Sequence, residues 1–271
     1  MSVTEPRNSP LRRLGVARYI TPLREGGSVP ALVEGDDGRC YVVKLHGAGQ
    51  GPRVLVAELI AGEIGRALGL QVPELVLVDL DQALARSEPD PEIQDILRAS
   101  AGLNLGLAHL DGAVTFDPAV RPGPPAAVAS AVVLLDTYVT NVDRTARNPN
   151  LLWWRGALAL IDHGAALYWQ HAWDGAVADA KPTRAFPLIR DHVLLPWADE
   201  LAAAGDALVA AVDDALIGAI TAQIPDDWLS PLPEAATPVA QRAAYGAWLR
   251  ERRAALPALI EEAARARAAR V

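Results

Sequence analysis

Asn141-Val142-Asp143-Arg144-Thr145-Ala146-Arg147-Asn148-Pro149-Asn150 is polar where its surroundings are apolar, and it gathers three of the chain's five asparagines beside Asp143. Taken alone, the stretch reads as turn chemistry, because Asp and Asn satisfy loop backbones and Pro149 suits a turn. Its surroundings change that reading. Residues 126–140 before it are apolar except for Ser130, Asp136 and Thr137, the composition of a buried helix. After it come two short apolar runs, 151–154 and 157–161, joined by Arg155-Gly156, which read as a hairpin. Asp162-His163-Gly164 stands at the hairpin's exit. Buried helix, polar loop, hairpin and Asp-X-Gly make a unit far more specific than any one of its parts.

Toward the N-terminus, residues 1–13 are polar with Pro and Arg and read as a flexible leader. Extended runs at 16–23 and 28–34 flank Arg24-Glu25-Gly26-Gly27, a turn suited to positive φ. Asp36-Asp37-Gly38 turns the chain again, into the β-branched strand Arg39-Cys40-Tyr41-Val42-Val43-Lys44-Leu45. Gly47, Gly49, Gly51 and Pro52 precede a helix expected over 53–68 and stopped by Gly69. On that helix Val56, Ile60 and Ile64 share one face, leaving Glu58 on another with Leu55, Gly62 and Gly65. Residues 72–80 read as a strand, and the acidic, proline-containing 79–91 as a connection between lobes. Further on, 91–100 suit a short helix, 116–125 a loop, and the Ala-rich chain from 198 onward is mostly helical. The expected division is a leader at 1–13, a nucleotide-binding N-lobe at 14–85 and a C-lobe at 86–271. The expected fold class is α+β: a small N-terminal antiparallel sheet lobe with one main helix, and a larger, mostly helical C-terminal lobe.

Phosphoryl transfer from ATP asks a protein for a cation on the phosphates, oxygen ligands for Mg²⁺ and a carboxylate near the acceptor hydroxyl. The chain offers these in order. Lys44 and Lys181 are its only lysines against 23 arginines, so a lysine kept in an apolar strand is a candidate for a task needing a compact ammonium. Asp143 followed five residues later by Asn148 has the spacing of a kinase catalytic loop, and Asp162 is then the second metal ligand. Asn150 takes the place of Asn148 if the loop register differs. Gly26-Gly27-Ser28 either covers ATP phosphates through backbone N–H groups or is only a hairpin turn. Gly47, Gly49 and Gly51 do not form a Walker loop, and a dinucleotide-binding βαβ unit is not evident.

The segments Tyr41-Val42-Val43-Lys44, Val56-Ala57-Glu58-Leu59, Asn141 through Leu152, and Leu160-Ile161-Asp162-His163-Gly164-Ala165-Ala166 resemble the HipA-like kinases. These are bacterial relatives of the protein kinases and phosphatidylinositol kinases, and the resemblance spans roughly residues 19–168. It implies a two-lobed protein-kinase-like fold and a serine/threonine kinase activity. Lys44 would contact ATP phosphates with Glu58 supporting it, Asp143 would be the catalytic base, and Asn148 and Asp162 would bind Mg²⁺. Glu63, on the same helix, competes with Glu58. Val142 stands where many eukaryotic kinases have the Arg of His-Arg-Asp, and His163 where they have the Phe of Asp-Phe-Gly.

The reading is therefore a Mg²⁺-ATP-dependent kinase acting on a hydroxyl, most readily Ser or Thr of a protein partner. The alternatives are a small-molecule or lipid kinase, and a catalytically weak nucleotide-binding scaffold that works through a protein partner. The formal charge of −8 argues against a general grip on nucleic acid. Cys40 is the only cysteine, which excludes an intrachain disulfide framework and a thiolate zinc cluster. No run of about 20 uncharged apolar residues suggests a membrane span, and a cytoplasmic location is expected. Arg and Glu in 239–271 read as a solvated helix face.

Overall fold

The computed structural model describes residues 10–24, 29–49, 51–173, 181–229 and 237–270. Five strands, β1 (Arg12–Pro22), β2 (Ala31–Gly35), β3 (Cys40–Lys44), β4 (Leu75–Leu80) and β5 (Gly102–Ala108), close into a barrel in the order β1-β2-β3-β5-β4. Neighbours run antiparallel except where β1 closes the barrel parallel to β4. Successive strand side chains point to opposite faces. On β2 and β3 this sends Ala31, Val33, Tyr41 and Val43 into a cluster with Leu14, Val76 and Val78 that fills the barrel.

Three sequence expectations are corrected here. Arg12 and Arg13, assigned to the leader, already pair with Val76 and Leu77 as strand. The strand expected from residue 72 begins at Leu75. The division at residue 85 falls between β4 and β5, two neighbouring strands of the same barrel. Gly102-Leu103-Asn104-Leu105-Gly106-Leu107 lacks β-branched residues, so its own propensity hides a strand that pairing with β3 and β4 on both sides imposes.

Helix α1 (Arg53–Ala67) explains why Glu58 is not on a solvent face. Eleven of its 15 residues are buried, because it packs against β4 and β5 on one side and against helices from the C-terminal half of the chain on the other. The glycines allow that approach: a Cβ at Gly62 would lie 2.9 Å from Leu75 Cδ1, and one at Gly65 3.0 Å from Val72 Cγ2. Helix α2 (Pro91–Ala99), capped by the Asp90 side chain on the Glu92 N–H, lays Ile93 and Leu97 onto the barrel cluster.

The remaining chain surrounds α3 (Ala126–Val139), whose apolar sequence is buried on nearly every side. A short sheet of β6 (Val114–Thr115), β7 (Leu151–Trp154) and β8 (Ala157–Leu160) follows the order β6-β7-β8. Four helices, α4 (Leu201–Ala211), α5 (Asp214–Ala222), α6 (Pro238–Ala254) and α7 (Leu256–Ala268), complete the packing, with α4, α6 and α7 against α3. Arg252 departs from the expected solvated face. It is buried, and its guanidinium donates to the carbonyls of Thr137 at 2.8 Å, Tyr138 at 3.2 Å and Pro182 at 2.8 Å. Among the described residues, no helix is long and apolar enough to cross a membrane.

Gly106 sets the closeness of β5 and β4, since a Cβ there would lie 2.7 Å from Val78 Cγ2 and 2.9 Å from Val76 Cγ2. Valine methyls have little freedom to move aside. Gly106→Ala is expected to cost roughly 1–3 kcal/mol of stability through overpacking, read as a lower urea midpoint with an unchanged slope.

Candidate active site

Lys44 ends β3, the barrel strand between β2 and β5, and is only 7 % exposed. Its ammonium donates to Glu58 Oε2 of α1 at 2.7 Å and to Asp162 Oδ1 after β8. Glu58 is fully buried and accepts two further hydrogen bonds from one residue: the His163 backbone N–H at 2.7 Å on Oε2, and His163 Nδ1 at 3.2 Å on Oε1. Burial by itself raises the Glu58 pKa, but the charge of Lys44 and the hydrogen bond from His163 outweigh it and hold the carboxyl at about 2. For Lys44, burial favours the neutral amine, yet the facing carboxylates of Glu58 and Asp162 leave its pKa raised.

The polar loop begins where Thr140, with φ of 53°, ends α3 in the left-handed region. Asn148 Nδ2 donates to Asp143 Oδ2 at 2.6 Å, which ties the loop's carboxylate to its amide. The Ile161 N–H donates to the Asn150 carbonyl at 3.1 Å and so brings the loop's end to Asp162. Asn150 and Asp162 have φ of 50° and 55°, in a region these two residue types tolerate better than most. Burial raises the Asp143 pKa and the Asp162 charge adds to it, against the opposing hydrogen bond from Asn148. The two carboxylates therefore feel each other's field.

A second buried cluster lies beneath the loop. Arg144 Nε donates to Asp136 Oδ2 of α3 at 2.6 Å, and His192 Nε2 lies 2.9 Å from the same oxygen. Asn141 Nδ2 reaches Asp136 Oδ1 at 3.0 Å, while Arg144 also donates to the Asn150 carbonyl. Burial raises the Asp136 pKa, but the Arg144 charge and the His192 hydrogen bond leave it well below the usual carboxylate range. Gly164 keeps the neighbouring space open. A Cβ there would lie 2.6 Å from Val54 Cγ1 and 3.6 Å from the Lys44 ammonium.

Barrel, buried α3, loop and Asp-X-Gly follow one another over the same span that a family profile covers: the profile described as HipA-like kinase matches residues 16–245. The chain belongs to the HipA-like kinase family. Among solved structures, the Helicobacter pylori proinflammatory kinase CtkA superposes with a TM-score of 0.60 at 14 % identity, covering 95 % of this chain and 99 % of that one. The two share a fold. The Golgi casein kinase with Mn/ADP bound matches at a TM-score of 0.45 and 11 % identity, over 92 % of this chain and 73 % of that one. No curated protein sequence matches the chain.

In this HipA-like kinase, Lys44, Glu58 and Asp162 meet in one contact cluster, and Asp143, Asn148 and Asn150 line the adjoining loop. Glu63 instead faces Arg66 at 3.4 Å on its own helix. Gly26, Gly27 and Ser28 lie outside the described residues. Sequence reasoning did not anticipate Asp136, Arg144 and His192 as a cluster. Asp136 carried a signal, as the one acidic residue in the apolar run before the loop. His192 carried none, because only the fold brings it to α3.

An acid titration tests the Glu58 pair. A carboxylate depressed from 4.5 to about 2 contributes stability that is complete above pH 4.5 and is lost as pH falls toward about 2. Lys44→Met is expected to lower the urea midpoint most near neutral pH, with the gap to wild type narrowing through that window. A separate expectation concerns Asp136→Asn. It leaves two buried cationic or polar partners unmatched and is expected to cost about 3–5 kcal/mol by chemical denaturation.

Proposed function

We propose that the protein is a Mg²⁺-ATP-dependent kinase that transfers the γ-phosphoryl group to a hydroxyl, that of serine or threonine in a protein. The nucleotide would lie in a cleft between an N-terminal lobe, the barrel with α1, and a helical C-terminal lobe. The observation that carries this reading is the nearly buried Lys44 ammonium facing Glu58 and Asp162, with the Asp143–Asn148 pair alongside. Such a set offers a fixed positive charge, oxygen donors and a proton-accepting carboxylate within one region, which is what phosphoryl transfer requires.

The donor set suits Mg²⁺. Asn148 gives its N–H to Asp143 and keeps its amide oxygen available, and the Asp162 side chain is 43 % exposed. Among the described residues there is no group of three or more His, Cys, Asp or Glu that would cage a metal. Magnesium is commonly held by one or two protein oxygens together with substrate phosphates. Bound Mg²⁺-ATP supplies the phosphoryl group and neutralises its charge. Lys44 orients the phosphates, with Glu58 holding the ammonium in place. Asp143 orients the acceptor hydroxyl and takes its proton as transfer proceeds. The family's kinship with protein kinases supports a protein acceptor.

Incubation with labelled Mg²⁺-ATP tests the reading. Wild type is expected to label itself or an added protein, and EDTA to abolish the signal. Asp143→Ala is expected to slow transfer by roughly 10²–10⁴-fold while the rise in melting temperature with Mg²⁺-ATP persists. A melting shift in wild type without transfer to any acceptor would favour a nucleotide-binding scaffold instead.

A further inference from the structure

A cavity of about 500 Å³ adjoins the catalytic loop, with Thr140, Val142, Trp169, Trp173, Phe186 and Trp248 in its wall. Val142 is the chain neighbour of Asp143, so the cavity begins one residue from the proposed base. The phosphate cluster at Lys44 does not contribute to this wall, and the cavity has no part in the chemistry described above.

Three properties of the wall specify an occupant. The first is charge. The chain is acidic overall, with a formal charge of −8, yet Lys181, Arg184 and Arg252 line this cavity and, among the described residues, no carboxylate does. Arg252 is committed to backbone carbonyls, one of them that of Pro182, and so pins the segment carrying the other two cations. Lys181 and Arg184 are exposed and form no ion pair among the described residues. The second is unmet hydrogen bonding. Thr140 Oγ1, Trp169 Nε1 and Trp173 Nε1 are buried without a partner among the described residues, and Trp173 as a whole is only 6 % exposed. A ligand bringing acceptor oxygens gains by matching such donors. The third is a rigid apolar surface. Trp169 stacks on Trp248 with ring centroids 5.5 Å apart and meets Trp173 edge-on at 5.4 Å.

We infer that this cavity receives the acceptor polypeptide beside the hydroxyl to be phosphorylated. It takes a bulky apolar side chain against the tryptophans and carboxylates at Lys181 and Arg184. The inference rests on the kinase reading and adds the sequence chemistry of its acceptor: apolar and acidic around the Ser or Thr. An extended peptide advances about 3.5 Å per residue, so a side chain one or two positions from the acceptor hydroxyl can enter while the hydroxyl stays at Asp143.

Tryptophan fluorescence reads docking without turnover. The probes are a synthetic peptide with a serine flanked on each side by a leucine and two aspartates, a counterpart with lysines for the aspartates, and one with alanines for the leucines. The acidic leucine peptide is expected to change the fluorescence saturably and to bind at least about tenfold tighter than either counterpart. Combining Lys181→Glu with Arg184→Glu, both at exposed positions, is expected to reverse the preference to the lysine peptide with an unchanged melting temperature. Equal binding of all three peptides, a preference for the lysine peptide in wild type, or an unaltered preference in the double variant would overturn the inference. So would saturation by dodecyl phosphate with no response to any peptide. Asp143→Ala separates the two readings, since it is expected to keep the fluorescence response and lose transfer. Docking without transfer in wild type counts against the kinase reading alone, and transfer without the peptide preference counts against the docking inference alone.

Discussion

An ammonium nearly removed from water stays charged only where carboxylates face it, and Lys44 meets that condition with Glu58 and Asp162. The three residues come from β3, from α1 and from the segment after β8. Their meeting requires the strand, the helix and the hairpin exit each to hold one register. The requirement runs in both directions: Glu58 is fully buried, and without its partners it would be an uncompensated charge in the core. His163 adds a backbone and a ring hydrogen bond to the same carboxylate, so the residue after Asp162 locks α1 to the Asp-X-Gly turn. A phenylalanine at that position offers no such ring donor.

The loop bearing Asp143 has its own buried anchor. Asp136, at the end of α3, collects Arg144, His192 and Asn141, and Arg144 extends to the Asn150 carbonyl. Val142, an apolar residue, precedes Asp143. Here the cation follows the aspartate and turns inward. Its Nε and Nη1 brace the loop, so Asp143 is held by buried neighbours while its own side chain remains partly open. Arg252 does similar work farther out, joining α6 to the end of α3 and to Pro182.

These anchors order the molecule around the candidate site. A buried ammonium comes from the barrel side through Lys44, carboxylate and amide oxygens from the loop and the hairpin exit, and an apolar, cation-rimmed cavity lies beside the loop, walled in part by Trp169, Trp173 and Trp248. Each rests on side chains whose positions are set by burial, and rigid support of this kind lets a few polar groups act without reorganising.

The loop with its Asp143–Asn148 spacing, the buried helix before it and the hairpin leading to Asp162 were legible because each depends on local pattern: an unbroken apolar run, a two-residue turn, a polar island. Periodicity also marked α1, but it set Glu58 apart from the core face. Burial of that carboxylate depends on what packs against the helix's second side, which no local pattern records. The strand Gly102–Ala108 was hidden for a related reason, since its glycines and asparagine disfavour extension until β3 and β4 bracket it. The sequence by itself determined which chemical groups the protein carries and the local elements that present them, through short-range sterics and hydrophobic spacing. Only the tertiary structure decided which of them meet, because the pairing of Lys44 with Asp162, and of Asp136 with His192, joins residues far apart in the chain through packing energies summed over the whole core.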